Sequence, residues 1–238
     1  MSETAPVIAG LLNFRDVGGL AVRGGGRIAF GTLYRSHSPS GLGQAGVAAI
    51  RALGLRSVLD LRDEYELEHW PYELGDPAIA RIHLPVLGDL DVPTDQMGLY
   101  RHMIEACGSG LTGAVRVIAR TDAQPVLVHC AVGKDRTGVT VGLALAAVGV
   151  PDEAIIGDFL LSNPGLNIET PADDADIAFD GYQTHRYVRA VHMETALEHA
   201  RRLGGDVPGY LAMHGMTDAE LDALRASLVS PGRPSSRP

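Results

Sequence analysis

The sequence predicts an α/β fold: a central, mostly parallel sheet with helices on both faces. Up to about residue 130, short apolar segments of strand length alternate with helical patterns, as in βαβ units. The C-terminal third shows helical periodicity only, so it is expected to pack on one side of the sheet. Of 238 residues, 45% are hydrophobic and few are aromatic, which indicates one aliphatic core of domain size.

The first elements are predicted from glycines and apolar runs. Three glycines at 24–26, flanked by apolar residues, predict a hairpin that leads into a strand over residues 28–34. Ser38-Pro39-Ser40 predicts the start of a helix that ends near Leu53. The next strand, residues 56–61, is followed at once by charged side chains, and α/β sheets place their functional sites at such strand ends.

The remaining elements follow the same alternation until the last strand. In order, they are a helical turn (64–69), a strand (79–86), two helices (97–104 and 111–120), a strand (125–130) and helices over 139–150, 151–161, 183–203 and 217–229. Pro151 stands at a first-turn position, and Thr217 with Glu220 forms a capping-box pattern. We predict one domain over residues 1–229, with a lid at 88–110 or in the acidic loop 165–182, and a disordered tail at 230–238.

Residues 126–139, VLVHCAVGKDRTGV, carry the chemistry. An apolar strand is followed by a loop and a buried helix, with Cys130 at the start of the loop and Arg136 at its end. Loop amides that converge on a helix N-terminus bind anions, and an arginine there binds two phosphoryl oxygens. A thiol in such a positive field ionises to the nucleophilic thiolate, and the Thr137 hydroxyl can donate a hydrogen bond to it. The pattern predicts a covalent phosphoryl-transfer site without a metal.

The signature resembles a known group of enzymes. Cys130-(x5)-Arg136 preceded by His129 is similar to the motif of cysteine-dependent phosphatases, and the full string HCAVGKDRTG resembles bacterial protein-tyrosine phosphatases of the PtpB type. Further matching segments are NFRDVGG at 13–19, LYRS at 33–36, DLR at 60–62 and DFLLSN at 158–163. The resemblance implies a dual-specificity-like fold and metal-independent hydrolysis of phosphotyrosine proteins through a phosphocysteine. Phosphoinositides and phosphoserine or phosphothreonine are implied as further substrates.

The resemblance also implies roles for the loop residues. His129 would orient the loop by hydrogen bonds. The phosphate would be bound by the backbone of the loop and by the arginine, that is, by Ala131, Val132, Gly133, Lys134, Asp135 and Arg136. The Lys134 side chain would add positive charge beside the nucleophile, as in a lipid phosphatase whose loop carries a lysine, and so favour substrates with more than one phosphate.

The general acid is left open among three aspartates. Asp135 lies in the loop itself, Asp60 ends a neighbouring strand within the matching DLR segment, and Asp89 follows the next strand, where other cysteine phosphatases carry a mobile acid loop. Asp135 and Asp60 rank together above Asp89. The alternative role for Asp60 is an ion pair with Arg62 or Arg136 that stiffens the site.

The sequence leaves two alternative functions open. A protein of the same fold could bind phosphorylated partners without turnover. Residues 41–46 match GxGxxG, a dinucleotide-binding pattern that would indicate a nucleotide-binding oxidoreductase, but they do not directly follow a strand as that pattern requires.

Arg15, Asp16 and Arg35 are interpreted as a salt-bridged scaffold under the site, with substrate contact by Arg35 as the alternative.

Composition limits the partners and the compartment. A formal net charge of −9 argues against nucleic-acid binding, which needs excess Lys and Arg. No cofactor is expected, and the nine histidines show no metal-binding spacing; His185, His192 and His199 are expected at or near the surface of one helix.

The second cysteine, Cys107, is interpreted as a bystander, with a disulfide to Cys130 as the alternative. No signal peptide or membrane span is evident, which predicts a cytoplasmic protein. Related enzymes reach host cells, so export without a cleavable signal stays open.

Overall fold

The structure is a computed structural model that describes residues 7–87, 93, 95–169 and 186–231. Its strands are β1 (Arg15–Asp16), β2 (Arg27–Ile28), β3 (Leu33–Ser36), β4 (Ser57–Asp60), β5 (Ala80–His83), β6 (Val126–His129) and β7 (Val229–Ser230). Its helices are α1 (Gln44–Ala52), α2 (Glu64–His69), α3 (Gln96–Ala106), α4 (Gly108–Ala119), α5 (Asp135–Ala147), α6 (Asp152–Leu160), α7 (Ser162–Gly165), α8 (Ala190–Gly204), α9 (Val207–Met213) and α10 (Asp218–Leu228).

The central sheet confirms the predicted topology. Within the described residues its strand order is β1-β3-β6-β4-β5, and every pair is parallel except β1 with β3. At the carboxyl edge, Ser36, His129, Asp60 and His83 stand side by side in register. Because parallel strands share this edge, the loop that begins at Cys130 lies between the ends of β3 and β4.

Both faces of the sheet are covered, as predicted. Along β6, Val126 and Val128 pack into a large core cluster with α3, α4, α5 and α8, whereas Leu127 faces a smaller cluster on the other side. Successive strand residues point to opposite faces, so a strand that is apolar at every position must lie between two layers. The helix that follows the loop, α5, is buried along most of its length.

Several predicted boundaries are wrong. The strand expected over 28–34 is divided into β2 and β3, and β2 pairs with β7 at the opposite end of the chain. Residues 186–189 are not helical, so the helix expected from 183 begins at Ala190. An unpredicted helix, α9, follows Gly205, and the Asp206 side chain caps it by accepting from the Gly209 amide.

The lid and tail predictions fall partly outside the described residues. Residues 88–92 and 94 of the first lid candidate and 170–185, which take in most of the second, lie outside them. The remainder of the first candidate forms α3 and the start of α4, whose inner residues are part of the main core. Ser230 belongs to a strand rather than to the predicted tail, and residues 232–238 are not described. No helix in the described part of the chain is long and apolar enough to cross a membrane.

Candidate active site

The loop after β6 forms a narrow turn around Cys130. It runs from Cys130 to Lys134, and Asp135 is the first residue of α5. Cys130 lies at its base and is 2% exposed. Gly133 has φ +67, and a Cβ at this position would overlap the backbone carbonyl of Ser36. Only glycine fits both this left-handed conformation and this close approach of β3.

Buried side chains hold the loop from one side. Asn13 Nδ2 donates to the carbonyl oxygens of Val132 at 3.1 Å and Gly133 at 2.9 Å, and Arg35 Nη2 donates to the latter at 2.9 Å. In a trans peptide the N–H points opposite to the C=O. The next amides, those of Gly133 and Lys134, are therefore turned away from Asn13 and Arg35, as an anion-binding loop requires.

Arg35 is itself fixed by an ion-pair network. Its Nη1 lies 2.6 Å from Asp158 Oδ2, and Arg15 Nε lies 2.8 Å from Asp158 Oδ1. Burial would raise the pKa of Asp158, but the two guanidinium groups outweigh it and hold this pKa below its usual value. Burial lowers the pKa of Arg35 to about 10. This geometry supports the scaffold interpretation of Arg35, with Asp158 as the acidic partner of both arginines.

Arg136 is held by a residue that the sequence interpretation missed. Its two terminal nitrogens donate to the two carboxylate oxygens of Glu66, at 2.5 and 2.6 Å. Burial disfavours the charged form of Arg136, but the hydrogen bonds to Glu66 outweigh it, and the pKa of Arg136 is raised. Glu66 also accepts from the Asp63 amide in the capping box of α2, so the carboxylate is fixed from both sides. The Asp63-x-x-Glu66 spacing was the available sequence signal.

Asp60 is occupied by a buried ion pair. It is 1% exposed and receives two hydrogen bonds from Arg62, at 2.9 and 2.8 Å. Burial would raise the pKa of Asp60, but the bonds from Arg62 and the charge nearby lower it. A general acid must carry a proton and reach the leaving group. The pairing with Arg62 therefore favours the alternative role of Asp60, an ion pair that stiffens the site, over the role of acid.

His129 supports the loop as its neutral form. Its Nδ1 lies 2.9 Å from the carbonyl oxygen of Cys130, and its Nε2 lies 2.9 Å from the Tyr72 hydroxyl. Since a carbonyl only accepts, Nδ1 carries the hydrogen and Tyr72 donates to Nε2. Burial lowers the pKa of His129 to about 4, which keeps the ring uncharged at neutral pH. These contacts support the predicted orienting role.

Asp135 is the predicted acid that remains beside the loop. Its Oδ1 accepts from the Tyr100 hydroxyl at 2.5 Å, and its Oδ2 lies 3.8 Å from Lys134 Nζ. Its side chain is partly exposed, unlike that of Asp60. The third candidate, Asp89, lies outside the described residues.

Two side chains of the motif are placed differently from expectation. Lys134 is 1% exposed, and its Nζ donates to the carbonyl of Arg186 at 2.7 Å, so its ammonium is tied to the segment before α8 rather than open to a second phosphate. Thr137 is buried, and its hydroxyl has no hydrogen-bond partner among the described residues, so the predicted bond to the Cys130 sulfur is absent there.

A cavity of about 270 Å³ adjoins the start of the loop. Its lining is Ala131 and Val132 of the loop with His37, Ser38, Ser40, Arg62 and Trp70. Trp70 follows α2 and is 45% exposed, and it forms an aromatic group with Tyr65 and His69. Burial and the charge of Arg62 lower the pKa of His37, so the His37 ring is uncharged at neutral pH. Arg62, the charged residue of this lining, is paired with Asp60.

The other cysteine and the histidines lie away from this chemistry. Cys107 and Cys130 are both free, which agrees with the bystander interpretation of Cys107. His192 is buried and stacks on Tyr100, contrary to the expected surface position, while His199 is partly exposed and His185 is not described. No group of three His, Cys, Asp or Glu residues in the described ranges could hold a metal ion.

Comparison with known proteins gives one family. A family model described as "Tyrosine phosphatase family" matches residues 6–230. The triple specificity protein phosphatase PtpB of Mycobacterium tuberculosis (strain ATCC 25618 / H37Rv) is 27% identical, over 93% of this chain and 98% of that protein. A tyrosine-protein phosphatase of Nostoc commune is 27% identical, over 77% of this chain and 69% of that protein.

Likeness to solved structures is weaker. The crystal structure of P. aeruginosa TpbA aligns with a TM-score of 0.42 and 19% identity, over 66% of this chain and 77% of that chain. The family of this chain is assigned from the family model and not from this structural likeness.

Proposed function

The chain belongs to the tyrosine phosphatase family, and from this premise we propose that it hydrolyses phosphotyrosine proteins through a phosphocysteine formed on Cys130. One observation carries the proposal: Cys130 lies at the base of a loop whose amides are turned outward by Asn13 and Arg35, at the N-terminus of a buried helix. Arg136 is aimed from the first turn of the same helix. These groups together form an anion site around a nucleophile.

The reaction has two steps. The Cys130 sulfur attacks phosphorus, an S–P bond forms and the P–O bond to the leaving group breaks, while the proton of the Asp135 carboxyl passes to the leaving oxygen. Water then attacks phosphorus, gives its proton to the Asp135 carboxylate, and the S–P bond breaks to return the thiolate. Arg136 and the loop amides stabilise the equatorial oxygens in both steps.

Asp135 is proposed as acid and base because of its position. It follows the loop directly, its side chain is partly exposed, and Asp60, the rival of equal rank, is held in a buried ion pair. His129 and Glu66 orient the reacting groups. His129 bonds to the Cys130 carbonyl, and Glu66 accepts from the Arg136 guanidinium. This division places the reacting groups on the loop and its orienting groups on β6 and α2.

The cavity beside the loop favours an aromatic leaving group. Trp70 and the aliphatic side chains of Ala131 and Val132 offer apolar surface, and His37 is uncharged at neutral pH. A phenyl ring gains from such surface, whereas a second phosphate needs a free cation. Since Lys134 is tied to the Arg186 carbonyl, phosphoproteins rank before phosphoinositides as substrates. The nucleophilic thiol must stay reduced, which favours the cytoplasm as the compartment of action.

The test compares wild type with Cys130→Ser on a phosphotyrosine peptide, a phosphoserine peptide and a phosphoinositide, without added metal. We expect turnover to be highest on the phosphotyrosine peptide and to be lost in Cys130→Ser. Cys107→Ser is the matched control, because Cys107 is buried in α3–α4 packing, and its activity should equal that of wild type. A wild type that binds phosphotyrosine peptide without turnover would instead support a binding module.

A further inference from the structure

Tyr100 contacts the proposed acid from the interior of the protein. It lies on α3, is 0% exposed, and its hydroxyl donates to Asp135 Oδ1 at 2.5 Å. The two residues are 35 positions apart in the sequence. The bond therefore links the core of the helical layer to the first residue of α5.

The tyrosine ring is fixed by two further helices. It stacks on His192 of α8 with ring centroids 5.2 Å apart and an interplanar angle of 16°. It also meets Phe159 of α6 edge to face, at 5.9 Å and 83°. Because aromatic packing on both sides limits rotation of the ring, the hydroxyl is held at one place.

The hydroxyl remains a donor throughout the neutral pH range. Burial raises the pKa of Tyr100 well above its ordinary value, and the charge of Asp135 raises it further. The buried hydroxyl of Tyr100 therefore donates its hydrogen to the carboxylate oxygen that it faces, Asp135 Oδ1.

We infer that Tyr100 is a positioning residue that orients Asp135 for proton transfer to the leaving group. The inference rests on the proposed function. Since Oδ1 accepts from Tyr100, the proton of the neutral carboxyl lies on Oδ2, the oxygen that is not bonded to the core.

The same bond acts during both chemical steps. As the P–O bond breaks and the proton leaves Oδ2, negative charge grows on the carboxylate and the bond from Tyr100 becomes charge-assisted. In the second step the same carboxylate takes a proton from water as the S–P bond breaks, and Tyr100 keeps Oδ1 bonded, so that Oδ2 receives the proton. Among the described residues, the Lys134 ammonium pairs with the same carboxylate, 3.8 Å from Oδ2.

The experiment uses Tyr100→Phe, which removes the hydroxyl and keeps the ring. Phenyl phosphate, a poor leaving group, is compared with 4-nitrophenyl phosphate, which leaves without much help from an acid. We expect kcat/KM, which reports the step in which the leaving group departs, to fall about tenfold or more with phenyl phosphate and less than about threefold with 4-nitrophenyl phosphate, since charge-assisted hydrogen bonds are the strong ones. Hydrolysis of the phosphocysteine is common to both substrates and does not enter this comparison.

The matched control is Tyr210→Phe. Tyr210 is equally buried, and its hydroxyl donates to the carbonyl of Ile104 at 2.8 Å, away from the loop. Its removal takes away one buried hydrogen bond without touching Asp135, so both substrates should keep the same rate ratio as in wild type. A general loss of stability would lower the rates on the two substrates by the same factor within each variant, and so leave their ratio unchanged.

Other outcomes of these measurements would overturn either the role of Tyr100 or the proposed function. Equal losses on the two substrates in Tyr100→Phe would overturn the inference and leave Tyr100 a packing residue. A rate ratio unchanged in Asp135→Asn would show that Asp135 is not the acid, and absence of turnover in wild type would overturn the proposed function itself. If Tyr100→Phe does not fold, 3-fluorotyrosine at position 100 keeps the hydroxyl and makes it more acidic with little change in ring size. An unchanged rate ratio would then refute the inference, and a changed one would support it.

Discussion

At the scale of single residues, the proposed site separates groups that face the phosphate from groups that hold them. Arg136 illustrates this. Both of its terminal nitrogens donate to Glu66, and these two bonds fix the orientation of the guanidinium plane. The planar guanidinium keeps further N–H groups for phosphoryl oxygens, and a fixed fork loses less conformational entropy when it binds. A buried carboxylate on another helix therefore supports oxyanion binding at the loop.

Replacing Glu66 by Gln should weaken phosphate binding and catalysis together. The variant keeps the size of the side chain but removes the charge that pairs with Arg136, and hydrogen bonds to charged groups contribute about 1.5–3 kcal/mol. We expect kcat/KM to fall about tenfold or more, with a parallel rise in the inhibition constant for vanadate. Glu68→Gln, on an exposed position of the same helix, is the control and should behave as wild type. An unchanged kcat/KM in Glu66→Gln would refute this role.

At the scale of elements, α2 supplies more to the site than its six residues suggest. Its capping box fixes Glu66, and its C-terminal end presents Trp70 to the cavity beside the loop. Arg62, which pairs with Asp60, also donates to the carbonyl of Trp70 at 2.8 Å. The end of β4, the helix and the cavity wall are thus one connected unit.

Trp70→Ala tests whether this unit selects aromatic phosphoesters. Loss of the indole removes apolar contact with a phenyl ring, an effect of about 1 kcal/mol or more, so KM for a phosphotyrosine peptide should rise about fivefold or more. KM for a phosphoserine peptide should stay unchanged. Tyr65→Ala is the control, because Tyr65 is 50% exposed in the same aromatic group but does not line the cavity. Equal increases of KM on both peptides would contradict a role in selecting the ring.

The elements also show which parts of the site a sequence reveals. Cys130 and Arg136 lie within one strand–loop–helix unit, and the local pattern predicted that unit correctly. Glu66 and Tyr100 reach the same unit from 70 and 35 positions away, and no local pattern encodes such a contact. Asp60 was placed correctly at the sheet edge, but its orientation towards Arg62 depends on burial of both side chains, which periodicity does not report.

At the scale of the whole molecule, the sheet edge concentrates buried groups whose ionisation is coupled to folding. His129 lies between β3 and β4, next to Asp60, with Asp158 below the loop. Strand pairing at this edge was predicted, whereas the pairing of β2 with β7 joins segments about 200 positions apart and had no local signal. The fold places these groups in the interior, and stability should therefore depend on pH.

The sign of this dependence follows from the direction of each shift. Burial lowers the pKa of His129 to about 4, so between about pH 6.5 and pH 4 the unfolded chain takes up a proton that the folded protein does not. Stability is lost as pH falls through this window, by about 2 kcal/mol between pH 7.5 and pH 5 for this one group. Asp60 and Asp158, whose pKa values are lowered, stabilise the fold above the ordinary carboxyl range and add to the loss at lower pH.

Denaturant unfolding at pH 7.5, 6 and 5 measures this loss in wild type and in His129→Gln. The variant has no imidazole at the sheet edge, so its free energy of unfolding should fall less over this interval, by about 2 kcal/mol. It should be less stable than wild type at pH 7.5, because the bonds to the Cys130 carbonyl and Tyr72 are disturbed, and the two values should converge at pH 5. Parallel pH curves would mean that His129 does not remain neutral in the fold. His199→Gln is the control for replacing a histidine outside the core, since His199 is partly exposed.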